Sequence, residues 1–474
     1  MSRTPHTIRA PYLYGGALIL GLGASTATRV SVLGLAAVGV LALAQPRLAL
    51  VCAVALVGWW WGSTRLQELD RSVLAPNVGT AGRVLVHVSE PPRRGRFDVR
   101  VRAVARRWRG VSVHESVLLK LTGSRAPPPQ GAELSALVTV RPPADYERTW
   151  LHRHGVHVVL HASAWRIVRR RGGVADRLHA WLGRASTPGL TGERRAVLEG
   201  VVLGEDGGLS DELRGRFRAS GLYHLLAVSG GNVIVVAGGA VGLALLLGVS
   251  RLAAEAAGLA AIIGYVLAVG PQPSVIRAGI AGALGSLAWL TGRQRDRWYA
   301  LIVGAVVLLG WNPWNVLDPG FQLSFAAVGS IFLVAPRFRR ALEGYPLPSW
   351  ASECIAISTA CGLCTAPISW LHFHAIPVLT VPANAAAAPV VAPMLALALL
   401  AAIAPPVGPL LAQLSGLGAV YLAACARFFG GLPGAQVRSP SAVAALASAV
   451  LLASAYAWRR GERVEAGLPP ARQR

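Results

Sequence analysis

The stretch Ser220-Gly-Leu-Tyr-His-Leu-Leu-Ala-Val-Ser-Gly-Gly-Asn-Val-Ile-Val-Val236 places His224, Ser229 and Asn232 inside an otherwise apolar segment of helix length. In hydrocarbon an unpaired hydrogen-bonding group is costly, so such residues usually face a bundle interior or a wet cavity. The pair Gly230-Gly231 predicts a loosened helix beside them. A discontinuous helix at mid-membrane is a common part of a substrate path.

The composition indicates an integral membrane protein. With 474 residues, 53% of them apolar, and a positive mean hydropathy, the chain exceeds what one soluble core needs. Its 46 basic and 22 acidic residues give a net charge of +24, and Lys120 is the sole lysine. Arginine suits phosphate through its bidentate fork, but an arginine-only repertoire also fits GC-rich coding. Only the distribution of charge separates these two interpretations.

Residues 1–63 contain three apolar stretches, near 11–26, 30–45 and 47–63, which predict three N-terminal transmembrane helices. Three such stretches in succession, without a small-residue cleavage pattern, favour helices over a signal peptide. Trp59-Trp60-Trp61 lies where an aromatic interfacial belt is expected.

Residues 64–168 have a different pattern. The segments Arg83–Val88, Phe97–Val104, Ser116–Leu121 and Glu133–Val140 alternate with a period of two, as half-buried strands do. We therefore predict a small all-β domain, inserted into the helical protein and resembling the oligonucleotide/oligosaccharide-binding (OB) barrel. The pattern alone does not exclude another small barrel.

Basic residues concentrate in and just after this domain. Residues 64–185 carry 22 basic and 9 acidic residues, a net charge of +13. Arginines neutralise phosphates and an aromatic ring can stack on a base, so this concentration favours nucleic acid as a partner. A solvated or lipid-headgroup-facing surface is the alternative. The predicted DNA-binding residues are Arg93, Arg94, Arg96, Arg100, Arg102, Arg106, Arg107, Trp108 and Arg109.

Four histidines fall within ten residues of the segment Trp150–His161, but their spacing fits no strong metal signature. We predict exposed strand or turn positions for them, and no metal site. Residues 169–220 then predict charged, amphipathic helices along the membrane surface, near 173–186 and 191–218.

Residues 221–458 predict a polytopic channel domain, which brings the total to about 12 transmembrane helices. Basic loops alternate with loops that have almost no basic residues, and the positive-inside rule places the basic loops in the cytoplasm. Both termini, including the basic tail 459–474, then lie in the cytoplasm, and the β-domain lies outside it. The predicted spans lie near 222–247, 252–270, 275–291, 298–311, 318–335, 351–370, 377–403, 409–429 and 440–457.

Several polar residues lie within these spans. Ser229 and Asn232 share a helix face at i, i+3. These residues could line a channel, and the alternative interpretation is that they form hydrogen bonds between helices. For Arg277 the alternative is snorkelling to the membrane interface. The predicted channel-lining set is His224, Ser229, Gly230, Asn232, Arg277, Gln322, Ser324 and Asn384.

The run Ala219-Ser-Gly-Leu-Tyr-His-Leu-Leu-Ala-Val-Ser-Gly-Gly-Asn-Val233 resembles the signature of the ComEC-type competence family, the inner-membrane channel for single-stranded DNA in natural transformation. The resemblance spans nearly the whole chain and implies the three-helix start, the OB-like extracytoplasmic domain and the polytopic competence domain. Its other segments, in the family's order, are 145–156, 203–210, 274–278, 312–325 and 381–384.

This chain resembles the form of the family without the C-terminal metallo-β-lactamase-like nuclease domain that many members carry, and it has Gly231 where the family usually has a bulky residue. A P-loop needs a Gly-Lys-Ser/Thr turn, and Lys120 lies in Leu-Leu-Lys-Leu-Thr instead. We therefore expect no enzyme activity and no cofactor.

These observations predict translocation of single-stranded DNA across the cytoplasmic membrane during natural transformation. The expected partners are the lipid bilayer, an extracytoplasmic DNA receptor, cytoplasmic ATP-driven or DNA-binding proteins, and a separate nuclease. A secondary transporter of a small solute is the main alternative, and it gives no role to the basic β-domain. An intramembrane hydrolase using Ser229 lacks a Gly-x-Ser-x-Gly elbow.

Overall fold

The computed structural model describes residues 10–28, 46–94, 98–122, 127–169, 172–270, 272–292, 296–444 and 448. The predicted helix at 30–45, most of the span at 440–457, the tail 459–474 and Arg96 lie outside the described residues. The chain forms two compact units. The first comprises Met1–Trp181, Ala240–Pro271 and Val275–Asp318, and the second comprises Leu182–Gly239, Gln272–Ser274 and Pro319–Arg474.

Helices α1 (Ala10–Ala24), α2 (Pro46–Leu69) and α10 (Arg297–Trp311) pack together in the first unit. Glycines let α1 and α2 approach closely, since a Cβ added at Gly58 would lie 2.6 Å from the carbonyl oxygen of Leu18. Small residues serve this purpose at helix contacts in membranes. Helix α2 continues to Leu69, beyond the predicted domain boundary at residue 63.

The β-domain is a sheet that closes on itself. Its long strands are β1 (Ala81–Val88), β3 (Val99–Trp108), β4 (Val111–Leu121), β5 (Glu133–Arg141) and β6 (Val159–Arg169), with a short β2 (Arg93–Arg94) beside β3. The order is β1-β5-β6-β4-β3-β2, and β1 also pairs with β3. The pair β4–β6 is parallel, and the other pairs are antiparallel.

Alternating apolar side chains fill the interior of this closed sheet. Val84, Val86 and Val88 of β1 are all buried, as the period of two predicts. Fully burying each such side chain contributes about 1.5–3 kcal/mol relative to leaving it exposed. The four predicted strand segments lie on β1, β3, β4 and β5, apart from Asp98, which precedes β3, and Phe97, which is outside the described residues.

Of the histidines predicted at strand or turn positions, His154 lies in a turn and His161 lies on β6. The prediction is wrong for His152, because the segment after β5 forms helix α3 (Asp145–Arg153), which includes it. Its Leu151 packs with Leu118, Val156 and Val159 in a small cluster outside the main β-core. This apolar contact fixes α3 against the sheet.

Glu115 of β4 holds the segment that links α2 to the β-domain. This buried carboxylate accepts hydrogen bonds from the backbone nitrogens of Val73 and Leu74, at 2.8 and 2.9 Å, and from the hydroxyl of Ser72. Backbone N–H groups without partners in a buried place destabilise the fold. The carboxylate therefore stabilises the entry of the chain into β1.

We expect Glu115→Ala to lower the free energy of unfolding by on the order of 2 kcal/mol, because the buried N–H group of Leu74 and the partly buried one of Val73 lose their acceptor. The control is Asp145→Ala, which removes a carboxylate whose side chain is 91% exposed and whose ion pair with Arg148 is worth less than about 1 kcal/mol. Denaturation of the full-length protein in detergent measures both variants. Equal effects would contradict the role assigned to Glu115.

Beyond β6 the chain is helical apart from two short strands, β7 (Ile376–Pro377) and β8 (Gln436–Val437), in the described residues. The helices that follow β6 are α4 (Val174–Ala185), α5 (Gly192–Leu203), α6 (Asp211–Ser220), α7 (Gly230–Leu246), α8 (Arg251–Val269), α9 (Pro273–Leu290), α10, α11 (Pro319–Leu333), α12 (Ala335–Ala341), α13 (Ser349–Phe373), α14 (Thr380–Ile403) and α15 (Gly408–Gly431).

Helix α5 differs from the predicted amphipathic surface helix. Seven of its twelve residues are buried, and it packs against α14 and α15 within the second unit. The reason lies in its sequence, because Ala-Val-Leu-Glu-Gly-Val-Val-Leu at 196–203 is apolar on nearly every side. Helix α5 is therefore a core element rather than a surface one.

Six helices of the described residues are long and apolar enough to cross a membrane, or seven if the pair α11 and α12, bent by 44°, forms one broken span. This number is smaller than the predicted total of about 12. Helices α1 and α10 are apolar but shorter, at 15 residues each. The six are Ala49–Leu69, Leu222–Leu246, Arg251–Val269, Ser349–Phe373, Thr380–Ile403 and Gly408–Gly431.

Candidate functional site

The candidate site is an interruption in the span Leu222–Leu246. A 3-10 turn covers Leu222–Leu225, residues 226–229 are not helical, and α7 begins at Gly230. The discontinuity follows the prediction, but Gly230 and Gly231 form the first turn of the helix rather than the break itself. Backbone groups released by such a break need hydrogen-bond partners in an apolar layer.

Asn232 supplies one of these partners. Its Nδ2 donates to the carbonyl oxygen of Val201 at 2.7 Å, and its Oδ1 accepts from the hydroxyl of Ser229 at 2.8 Å. Val201 is among the last residues of α5, whose final four carbonyl groups lack partners within the helix. Asn232 therefore closes the end of α5 from 31 residues away along the chain.

The break itself is held by the start of α9. The hydroxyl of Ser274 donates to the carbonyl oxygen of Val228 at 2.7 Å. The loop after α5 lies against the same place, since a Cβ added at Gly204 would lie 3.2 Å from a methyl group of Val228. The interrupted span is thus enclosed by α5 and the first residues of α9.

This geometry changes the role predicted for Asn232. The residue is 4% exposed and is hydrogen-bonded to Val201 and Ser229, so it does not border a water-filled passage in this conformation. Its amide instead satisfies buried polar groups. Ser229 and Gly230 are half-buried beside it, and His224 is exposed, with its Nδ1 2.8 Å from the carbonyl oxygen of Gly221.

Two other predicted channel residues of the second unit, Gln322 and Asn384, form separate contacts with α13. Gln322 of α11 lies with its Oε1 2.8 Å from Nε2 of His372, and Asn384 of α14 lies with its Nδ2 3.5 Å from the hydroxyl of Ser358. These are the helix-to-helix contacts that compete with a channel-lining role. Ser324 is half-buried on α11.

Arg277 belongs to the first unit, on α9. Its aliphatic stem packs on α10, because a Cβ added at Gly304 would lie 3.4 Å from its Cγ. A long side chain that covers a glycine in this way contributes apolar contact as well as charge.

Glu255 of α8 is an ionisable residue that we did not predict. It is 6% exposed, accepts from the hydroxyl of Ser286 at 3.0 Å and pairs with Arg251 at 3.0 Å. An acidic residue inside an apolar helix is a sequence signal for a functional or paired group. That signal was available at this position.

The arginines of the β-domain differ in their surroundings. Arg106, Arg107 and Arg109 are exposed, whereas Arg100 and Arg102 are half-buried and bound to carboxylates. Arg93 and Arg94 form β2, and only their backbone is described.

Trp108 does not have the surface position that base stacking requires. It is 6% exposed and belongs to the core of the β-domain. The cause is a bulge between Ala105 and Arg107, which shifts the alternation so that two successive arginines face outward and Trp108 turns inward. The exposed aromatic beside the arginines is Trp150 of α3, which lies far from them in sequence.

The fold and this site define a membrane protein with apolar helices, a closed β-domain inserted among them and one span interrupted by buried hydrogen-bonded polar residues. The family model described as Competence protein matches residues 201–462, which is more than half of the chain. The chain therefore belongs to the competence protein family.

Two curated relatives match part of the chain. The ComE operon protein 3 of Bacillus subtilis (strain 168) is 28% identical over 203 residues, which cover 42% of this chain and 25% of that protein. The uncharacterized protein YcaI of Escherichia coli (strain K12) is 26% identical over 212 residues, which cover 41% of this chain and 27% of that protein. The matched segment thus spans about a quarter of each relative. No solved structure matches the chain significantly.

Gly221, which ends α6 before the break, permits a test of the close packing there. We expect Gly221→Ala to destabilise the protein, because the residue has φ +78° and a Cβ would overlap the side chain of Thr380. Gly248→Ala is the matched control, with φ +76° and open space around the added Cβ, so it should cost only the left-handed strain of about 1–2 kcal/mol. Melting temperatures in detergent distinguish the two, and equal shifts would contradict the packing argument.

Substitutions at Asn232 test the closure of α5. Asn232→Ala should lower the free energy of unfolding by about 1–3 kcal/mol, since the Val201 carbonyl loses its donor. Asn232→Asp should cost more, because a buried carboxylate then faces that carbonyl oxygen. Ser229→Ala is the control, since it keeps the bond to Val201. Denaturation in detergent measures the three variants. An Asn232→Asp protein as stable as the native one would show that the amide does not stabilise the end of α5.

Proposed function

We propose that this chain carries one strand of DNA across the cytoplasmic membrane during natural transformation. The observation that carries the proposal is the apolar span interrupted at residues 226–229, with hydroxyl and amide side chains at the break, within the part that matches the competence family. Discontinuous helices of this kind build transport paths in membrane proteins. Membership of the competence family supports a role in DNA uptake.

The β-domain is proposed to be an OB-like module that receives DNA on the extracytoplasmic side. Five long strands in the order β1-β5-β6-β4-β3, closed by the pairing of β3 with β1, support a small Greek-key barrel of that type. The exposed Arg106 and Arg107 on β3 favour a polyanion over a neutral solute. This distribution of charge has no role in the alternative of a small-solute transporter.

Conduction requires weak, exchangeable contacts. A pore for a polyanion works with dipoles and few charges, because tight binding would stop transit. In this proposal His224 and Ser229 meet the strand, and the bond from Asn232 to Val201 opens when the strand passes. The driving force comes from cytoplasmic partners.

Deletion of the gene tests translocation directly. We expect cells to keep DNA bound at their surface while labelled DNA no longer enters the cytoplasm and transformation is lost. Reintroduction of the native gene should restore both. Entry of labelled DNA at the native level in the deletion strain would refute the proposed channel.

The double substitution Arg106→Ala with Arg107→Ala tests the receiving surface. We expect weaker binding of single-stranded DNA by the full-length protein, and a salt dependence of log K that is less steep by about 1.4, since each lost phosphate contact on a single strand contributes about 0.7. The control removes two exposed arginines elsewhere, Arg194→Ala with Arg195→Ala on α5. Equal losses in the two double variants would contradict a specific role for β3.

A further inference from the structure

A cleft opens on the β-domain between β3 and α3. Arg100 and Arg102 are two residues apart on β3 and point outward into it, because the intervening Val101 and the following Ala103 are buried. Glu147 and Trp150 of α3 line the opposite wall. The cavity has a volume of about 210 Å³.

Every charged group that lines this cleft is engaged by an opposite charge. Arg100 pairs with Glu147 at 2.6 Å, and Arg102 pairs with Glu90 at 2.7 Å. Glu147 also lies 3.3 Å from Lys120, which is directly opposite Arg100 on the neighbouring strand. Glu147 therefore pairs with two cations, Glu90 pairs with Arg102, and Arg100 also lies 3.4 Å from Asp98.

The chemistry of these pairs identifies the ligand that competes with them. A carboxylate and a phosphate diester both present two oxygens to a guanidinium group, and arginine binds either one through charge-assisted hydrogen bonds. The volume is below the 300–1,000 Å³ of pockets that enclose a whole small molecule, so the cleft fits a backbone phosphate with its sugar rather than a buried base.

Trp150 provides the place for the base at the rim. Its side chain is 47% exposed, and the guanidinium of Arg102 lies 5.7 Å from the centre of its ring. His154 stacks on the same indole at 4.3 Å and lies 2.8 Å from the backbone carbonyl of Trp150. Burial lowers the pKa of His154, although the hydrogen bond to Trp150 opposes this.

We infer that this cleft is a single-nucleotide subsite for single-stranded DNA, in which Glu147 and Glu90 occupy the arginines until a backbone phosphate displaces them. The inference rests on the proposed function and adds that carboxylates of the same domain compete with DNA phosphates for the arginines. Because the carboxylates reclaim the guanidinium groups when the phosphate leaves, each contact is brief. A strand can then move along the domain without being trapped.

The test uses the full-length protein in detergent and a fluorescent oligothymidylate. Glu147→Gln should tighten binding by roughly threefold and steepen the salt dependence by about 0.7, since Lys120 becomes available to phosphates while Arg100 keeps its ion pair with Asp98 at 3.4 Å. Glu90→Gln, which frees Arg102 alone, should steepen it by about 0.7. Glu199→Gln is the matched control, because it frees Arg195 from an ion pair on α5 and should change neither quantity.

The alternative is that the two carboxylates only hold α3 on the sheet. In that case Glu147→Gln lowers the melting temperature while DNA affinity and salt dependence stay native, and the inference fails. Glu90→Gln is a second, independent test of the subsite. Glu90 lies outside α3, so its substitution leaves the apolar contact of Leu151 with the sheet in place. Unchanged DNA binding in a folded Glu90→Gln protein likewise overturns the subsite.

Two further outcomes separate this inference from the proposed function. If the native protein binds no oligothymidylate, the receiving role of the β-domain fails and the subsite fails with it. If the native protein binds but neither glutamine variant binds more tightly, only the subsite fails. Tighter binding of the variants to phosphatidylglycerol vesicles, with unchanged binding to DNA, would assign the cleft to lipid headgroups and overturn the inference.

Discussion

The second unit depends on one requirement, which is that backbone carbonyls released inside an apolar layer must find donors. The chain ends α5 and interrupts the next span close together, and both endings expose carbonyl groups. Asn232 bonds Val201, and Ser274 bonds Val228. Each donor lies far along the chain from its acceptor, so the polar residues of the span fix which segments meet. Without them the interruption would leave unpaired groups that cost several kcal/mol in hydrocarbon.

The β-domain is subject to a different constraint, because neighbouring arginines repel one another unless carboxylates or solvent reduce the repulsion. Half-buried Arg100 and Arg102 are balanced by carboxylates from a turn and from α3, whereas Arg106 and Arg107 extend into solvent where water screens them. The net charge of a segment therefore says little about which arginines are available to a polyanion. Exposure and pairing decide this, and both depend on the fold.

Much of the fold could be predicted because strands and apolar helices have periodic or continuous signals. The inward valines of β1 lie on an observed strand, and eight of the segments predicted as spans after residue 221 lie on helices, although α9 and α10 are not among the helices long and apolar enough to cross a membrane. Other features depend on single residues, and the periodicity of apolar residues in the sequence does not predict them. One bulge between Ala105 and Arg107 moves Trp108 into the core, and the apolar circumference of α5 was attributed to a surface helix. The partner of Asn232 could not be predicted, because a side chain alone does not specify which distant carbonyl it reaches.

In both units a group that the proposed function brings near DNA holds an internal partner. The guanidinium groups of Arg100 and Arg102 pair with carboxylates, and the amide of Asn232 donates to a backbone carbonyl. A permanently open, unsatisfied site would be costly in an apolar environment and would bind a polyanion too tightly to release it. Replacing one satisfied contact by another lowers both costs. Under the proposed function, passage of a strand is a sequence of partner exchanges, and its rate depends on how evenly the internal and external partners compete.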